Sequence, residues 1–293
     1  MGFCDQIMKK YFSNKKINII YMVDTLIMGS AFKSLLKPTR IIIGTENKNI
    51  KFLNNFKKFN CPLFFLSLKQ AELIKLSINL YLFNNVTFAN AMDYYCRQNN
   101  FSFNDISLPI KLDKRIGINS YINSSLGVSG GHLERDVYSI IKTSLNYQTK
   151  NYFKNLKKLN DSRINILKNK YLLLNKKYKF SKIIWCGPSY KKSSFSITNS
   201  AFLRFFNFLK KKNIHKIFYV YEKIFNNSLL NFKKINNLKI KSGTLLIHNY
   251  SNKTDKNLIS EIIRKNRNIF CIDIALNDSV LKKNSQDNYL KIF

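Results

Sequence analysis

Apolar side chains recur every third or fourth position from residue 69 to 100. Leu73, Leu76, Leu80 and Phe83 mark the stripe, which predicts one long amphipathic helix. A second helical stretch is expected over 137–176, with Tyr138, Ile141, Leu145, Tyr152, Leu156, Leu159, Ile166 and Tyr171 apolar and a break at Asn160-Asp161-Ser162. A Lys- and Asn-rich linker, Asn169 to Lys179, would follow. Short β-branched runs at 17–23, 40–44 and 61–66 read as strands, with a short helix over 46–59. Beyond residue 180, strands are expected at 182–186, 216–221, 243–248 and 269–274, with helices at 199–211 and 256–266. Strands alternating with helices predict an α/β fold with a parallel sheet. The length alone suggests about two domains. Ligands on such a sheet sit beyond the carboxyl ends of its strands, which places Lys191 and Asp273 at the expected rim.

A chain of 293 residues with 45% hydrophobic content is globular. It holds no apolar run of 18 residues, so no membrane partner is expected. The first residues lack the apolar centre of a signal peptide, and a cytoplasmic location is expected. Cys4, Cys61, Cys96, Cys186 and Cys271 are dispersed without a CxxC pair. They read as small buried hydrophobes, not as a disulfide framework or a metal site.

The net charge of +34 raises the question of nucleic acid. Yet 42 of the 50 basic residues are Lys and only 8 are Arg, spread along the whole chain. Base and phosphate readers favour clustered Arg. A solvated basic surface is the expectation, with non-specific polyanion binding at low salt and no specific nucleic-acid partner.

Candidate chemistry concentrates in DKRIGINSYINSSLGVSGGHLERDVY, Asp113 to Tyr138. Its glycines allow positive φ and close backbone approach to a ligand, and a helix start favours an anion. A tight interhelical turn would read the same way. Lys75 and Asn79 stand four apart on the first long helix, so both can reach one small site.

These residues resemble the active-site segments of the UDP-glucose/GDP-mannose dehydrogenase family. Asp113, Arg115, Ile116, Gly117, Gly127, Gly130 and Asp136 sit where that pattern asks, with one extra residue in the spacer. Lys75 and Asn79 match its Ala-Glu-x-x-Lys-x-x-x-Asn motif. Leu26, Gly29, Ala31, Pro38 and Arg40 match an earlier segment, and Gly187, Tyr190, Lys191 and Ser200 a later loop. The resemblance implies a Rossmann-like NAD-domain remnant over 1–67, a helical dimerisation domain over 68–178, and a nucleotide-sugar-binding α/β domain over 179–293. It implies two NAD-dependent oxidations of a sugar alcohol to a carboxylate, through a cysteine thioester. Lys75 and Asn79 would stabilise oxyanions, and Asp136 would position a proton-transfer water. Arg115 would reach the nucleotide sugar of a partner subunit. Lys191 would sit near the diphosphate, and Tyr121, Ser125, Gly127 and Gly130 in the sugar loop.

The chain departs from that pattern in informative places. His132 occupies the cysteine position, and imidazole offers no thioester equivalent. Met28 replaces an acidic residue, Ser196, Thr198 and Asn199 replace Asp, Arg and Glu, and Ala275 replaces an arginine. None of the 293 residues forms a Gly-x-Gly-x-x-Gly loop to seat the NAD pyrophosphate. The expectation is therefore a truncated, divergent relative, inactive by itself. The alternatives are a non-catalytic UDP-sugar-binding or regulatory subunit, or one half of a split dehydrogenase. A homodimer, a full-length relative or a separate NAD-domain chain would be its partner. A general polyanion binder is the third reading.

Overall fold

The long helix starts where a capping box starts it. Ser67 Oγ accepts from Gln70 N at 3.3 Å, and Gln70 Oε1 accepts from Ser67 N at 3.1 Å. The computed structural model describes residues 6–7, 10–12, 17–24, 31–189, 196–214, 217–221, 233–234, 240, 242–249, 253–266, 269–274 and 288–292. Predicted positions Cys4, Leu26, Met28, Gly29, Tyr190, Lys191 and Ala275 lie outside them.

Before the capping box lies a small sheet of β1 (Tyr21–Met22), β2 (Ile41–Gly44) and β3 (Leu63–Leu66), with α1 (Ala31–Leu36) between the first two. β1 pairs antiparallel and β3 parallel to the central β2. The short helix expected over 46–59 is a 3-10 helix, Lys51–Lys58, anchored by buried Leu53.

α2 (Leu68–Gln98) is the axis of the middle unit. The chain turns at Asn100, φ 61°, and folds back as α3 (Phe103–Leu112), whose Phe103 and Ile110 join Ala89 and Cys96 in one cluster. The stretch expected to continue from 137 to 176 is three helices: α4 (His132–Thr143), α5 (Tyr147–Ser162) and α6 (Ile164–Tyr178). One break falls at Arg163, as the Asn160-Asp161-Ser162 signal suggested. The other falls at 144–146, where the Asn146 side chain caps α5 by accepting from Thr149 N at 2.7 Å. The expected linker Asn169 to Lys179 is instead the end of α6 and its left-handed C-cap Lys179, held by Tyr171 in the core of the third unit.

Among the described residues, that unit holds a six-stranded parallel sheet in the order β6-β5-β4-β7-β8-β9. Its strands are β4 (Lys182–Cys186), β5 (Ile217–Tyr221), β6 (Lys233–Lys234), β7 (Thr244–His248), β8 (Phe270–Asp273) and β9 (Tyr289–Lys291). Alternation sends Ile183, Trp185, Leu245 and Ile247 to one face, against α6 and α7 (Ala201–Lys211). It sends Ile184, Cys186 and Leu246 to the other, against Ile259, Ile262 and Ile263 of α8 (Lys253–Lys265). Cys96, Cys186 and Cys271 are buried free thiols, as expected, while Cys61 is partly exposed.

Asp273 does not reach the rim. β9 pairs with β8 and carries Tyr289, whose hydroxyl donates to the fully buried Asp273 carboxylate. His248 Nε2 lies 3.5 Å from the same group. The next residue, Ile274, faces the cavity instead. Among the described residues no helix is long and apolar enough to cross a membrane.

Candidate active site

One face of α2 builds the floor of the site. Lys75, Ile78, Asn79, Leu82 and Val86 follow helical spacing and line a cavity of about 720 Å³. The cavity lies between the helical unit and the carboxyl ends of the parallel strands. Gly187 to Ser189 after β4, Asn249 after β7 and Ile274 after β8 close it from the sheet side. Ser200 caps α7 by accepting from Leu203 N at 3.2 Å and forms part of the same wall.

His132 is the first residue of α4 and faces this cavity. Four residues on, one helical turn below, Asp136 accepts from Asn79 Nδ2 at 2.6 Å. Both partners are only 7% exposed. Arg135 Nε binds the other carboxylate oxygen at 2.8 Å, so the buried charge is compensated. Lys75 Nζ donates to the backbone carbonyl of Asp24, tying the cationic end of the site to the first unit. Lys75, Asn79 and His132 therefore share one cavity, and Asp136 is hydrogen-bonded to it through Asn79.

The loop from Asn123 to Gly131 forms the opposite wall and is clamped from several elements. Asn90 on α2 accepts from Ser125 N at 2.7 Å. Asn160 Oδ1 accepts from Val128 N at 2.6 Å. Gly130 N donates to Thr198 O at 2.8 Å, and Asn199 Nδ2 donates back to Gly130 O at 3.2 Å and to Glu134. Arg163, fully buried, donates from Nε to Ser125 O at 2.8 Å and pairs with Asp93 at 2.6 Å. Its guanidinium also lies 4.5 Å from the Tyr94 ring centroid. Arg204 donates to Val128 O. Burial lowers the Arg204 pKa, against the pull of Glu134 and Asp161.

Tyr121, Ser125, Gly127 and Gly130 all line the cavity. Arg115 does not. Its exposed guanidinium grips Asp113 in a fork at 2.7 and 3.0 Å, which holds the Asp113 carboxyl below its usual range. Asn90, Asn160, Arg163 and Arg204 escaped the sequence reading, since polar residues on amphipathic helices read as solvent-facing. A faint signal existed: Asn90, Asp93 and Arg97 form a polar row at helical spacing beside the buried Ala89 and Cys96.

Residues 69–162 match the family described as UDP-glucose/GDP-mannose dehydrogenase family, central domain. A UDP-glucose 6-dehydrogenase from Campylobacter jejuni is 30% identical over 247 residues, 83% of this chain and 59% of that protein. The chain thus spans little more than half of such a relative. Among solved structures, a UDP-glucose dehydrogenase from Pyrobaculum islandicum superposes with a TM-score of 0.76 at 18% identity, over 98% of this chain and 66% of that one. An NDP-N-acetyl-D-galactosaminuronic acid dehydrogenase from Methanosarcina mazei gives 0.78 at 15%, over 99% and 65%. These two likenesses establish the fold, and Lys75, Asn79, Gly127 and Gly130 of the matched motifs line the cavity. Residues 69–162, which carry Lys75, Asn79 and His132, belong to the UDP-glucose/GDP-mannose dehydrogenase family as its central domain.

Proposed function

We propose that the cavity holds a UDP-type nucleotide sugar and that this chain does not carry the sugar alcohol through to the carboxylate. The convergence of Lys75, Asn79 and His132 on one cavity, with Asp136 bonded to Asn79, carries this reading. Lys75 and the second N–H of Asn79 would stabilise negative charge on a sugar oxygen. The second oxidation needs a nucleophile that is also a good leaving group, and thiolate meets both demands. The imidazole of His132 can take a proton but forms no thioester. NAD is the hydride acceptor that the kinship points to. The sequence holds no Gly-x-Gly-x-x-Gly loop, the motif that seats an NAD pyrophosphate. Incubation with UDP-glucose and NAD should yield no NADH, and sustained NADH formation with a sugar-acid product would refute the reading.

A second copy of this chain is the partner we infer. Tyr81, Phe88 and Tyr95 recur every seven residues along α2 and are 65%, 47% and 63% exposed. A seven-residue repeat of exposed aromatics suits one side of a helix–helix seam, which supports this reading. Sedimentation should give a dimer that Phe88→Glu dissociates, and a monomer at all concentrations would remove the dimer. A non-catalytic subunit beside a full-length relative or a separate NAD-domain chain is the second reading. Its support is β3, an edge strand of the described sheet, where Phe64 stays 48% exposed. A mixed complex displacing the homodimer in the same sedimentation runs would favour it, and no mixed species would sink it.

A further inference from the structure

The described residues lining the cavity include three basic side chains, Lys75, Lys111 and His132, and no Asp or Glu. Lys75 and His132 fall on the active-site motifs, whereas Lys111 has no part in them. It lies in the last turn of α3, where the helix carbonyls favour a cation. Its Nζ donates to Asn123 Oδ1 at 2.7 Å. An ammonium has three donors, and among the described residues Asn123 takes one, which leaves two for a ligand. The preceding residue, Ile110, packs in the cluster of Ala89. Ala89 lies about four turns, roughly 20 Å, along α2 from Lys75. The two lysines therefore enter the cavity near opposite ends.

We propose that Lys111, braced by Asn123, binds a phosphoryl group at the end of the cavity remote from Lys75 and selects nucleoside diphosphate ligands over uncharged sugars. Partial burial supports this by depressing the Lys111 pKa, a cost that a bound anion offsets. With no carboxylate in the described wall, nothing there competes for the ammonium. The exposed ring of Tyr121 lines the same cavity and offers a flat surface for a base. The proposal names a phosphate contact within the nucleotide-sugar reading and rests on it for the identity of the whole ligand.

Calorimetric titration of the full chain with pyrophosphate, UDP and UDP-glucose tests it. Lys111→Met should weaken all three by about tenfold, the loss of one charge-assisted hydrogen bond. Lys111→Arg should restore most of the affinity, and both variants should melt as the parent does. Added salt should weaken the parent more steeply than Lys111→Met. Equal affinity of the parent and Lys111→Met for UDP and UDP-glucose overturns the Lys111 contact and leaves the nucleotide-sugar reading standing. Pyrophosphate binding that needs Lys111, with no gain from the nucleoside or sugar, supports the contact and sinks the nucleotide-sugar reading. Absence of binding by the parent to any of the three overturns both.

Discussion

Gly127→Ala is expected to lower the melting temperature by about 5–20 °C and to abolish ligand binding. Gly127 has φ 104°, where an L side chain is strained by about 1–3 kcal/mol. Its added Cβ would also lie 2.7 Å from an Arg204 nitrogen and 2.9 Å from the Asn160 carbonyl. Arg204 is held to Val128 and Asn160 is fully buried, so neither can retreat freely. Overpacking of this kind adds about 1–3 kcal/mol. The sum is a large part of a typical stability of about 5–15 kcal/mol. Gly117→Ala is the control: φ is 85° there, but nothing lies within 4 Å of the new Cβ. It should therefore show the backbone strain alone. Thermal melts of both variants decide the matter, and equal shifts would mean that the Arg204 and Asn160 contacts do not constrain the loop.

Arg163→Ala should destabilise the chain by about 3–5 kcal/mol, the range for breaking a buried ion pair from one side. The guanidinium is fully buried and serves three acceptors at once: Asp93, Ser125 O and, at 3.3 Å, Asn90 O. Its loss leaves Asp93 with Arg97 at 2.8 Å and leaves two carbonyls to find other partners. Arg163→Lys should recover little, because an ammonium cannot reproduce the planar fork. Since Ser125 O belongs to the cavity wall, both variants should also weaken ligand binding. Urea unfolding measures the effect, and a change below about 1 kcal/mol would show that the network carries little of the stability.

The long helix and the glycine loop were legible in the residues because each is a local pattern. α2 announces itself by apolar spacing and by Ser67 and Gln70, and the loop by glycines whose positive φ the fold indeed uses. α3 was not legible. Pro109 removes a helical donor and hides the pattern, yet it lies near the end of the helix, where one missing bond is tolerated. β9 is three residues long, too short for any period to show. The grip on the loop was hidden for a different reason. Asn160 and Arg163 look like surface residues at a helix break, and only tertiary folding places them under Val128 and Ser125. Lys111 was one lysine among 42 until the fold showed it on the cavity wall. Asp273 illustrates the opposite error. The end of a strand points to a rim, but β9, too short to show in the sequence, pairs beside it and its Tyr289 covers Asp273.

Nucleotide-sugar occupancy of the cavity is tested most directly by calorimetric titration of the purified chain with UDP-glucose. A saturable heat with one site per chain, lost in Asn79→Ala, is the expected result. No heat at millimolar ligand, or binding indifferent to Asn79, would contradict it.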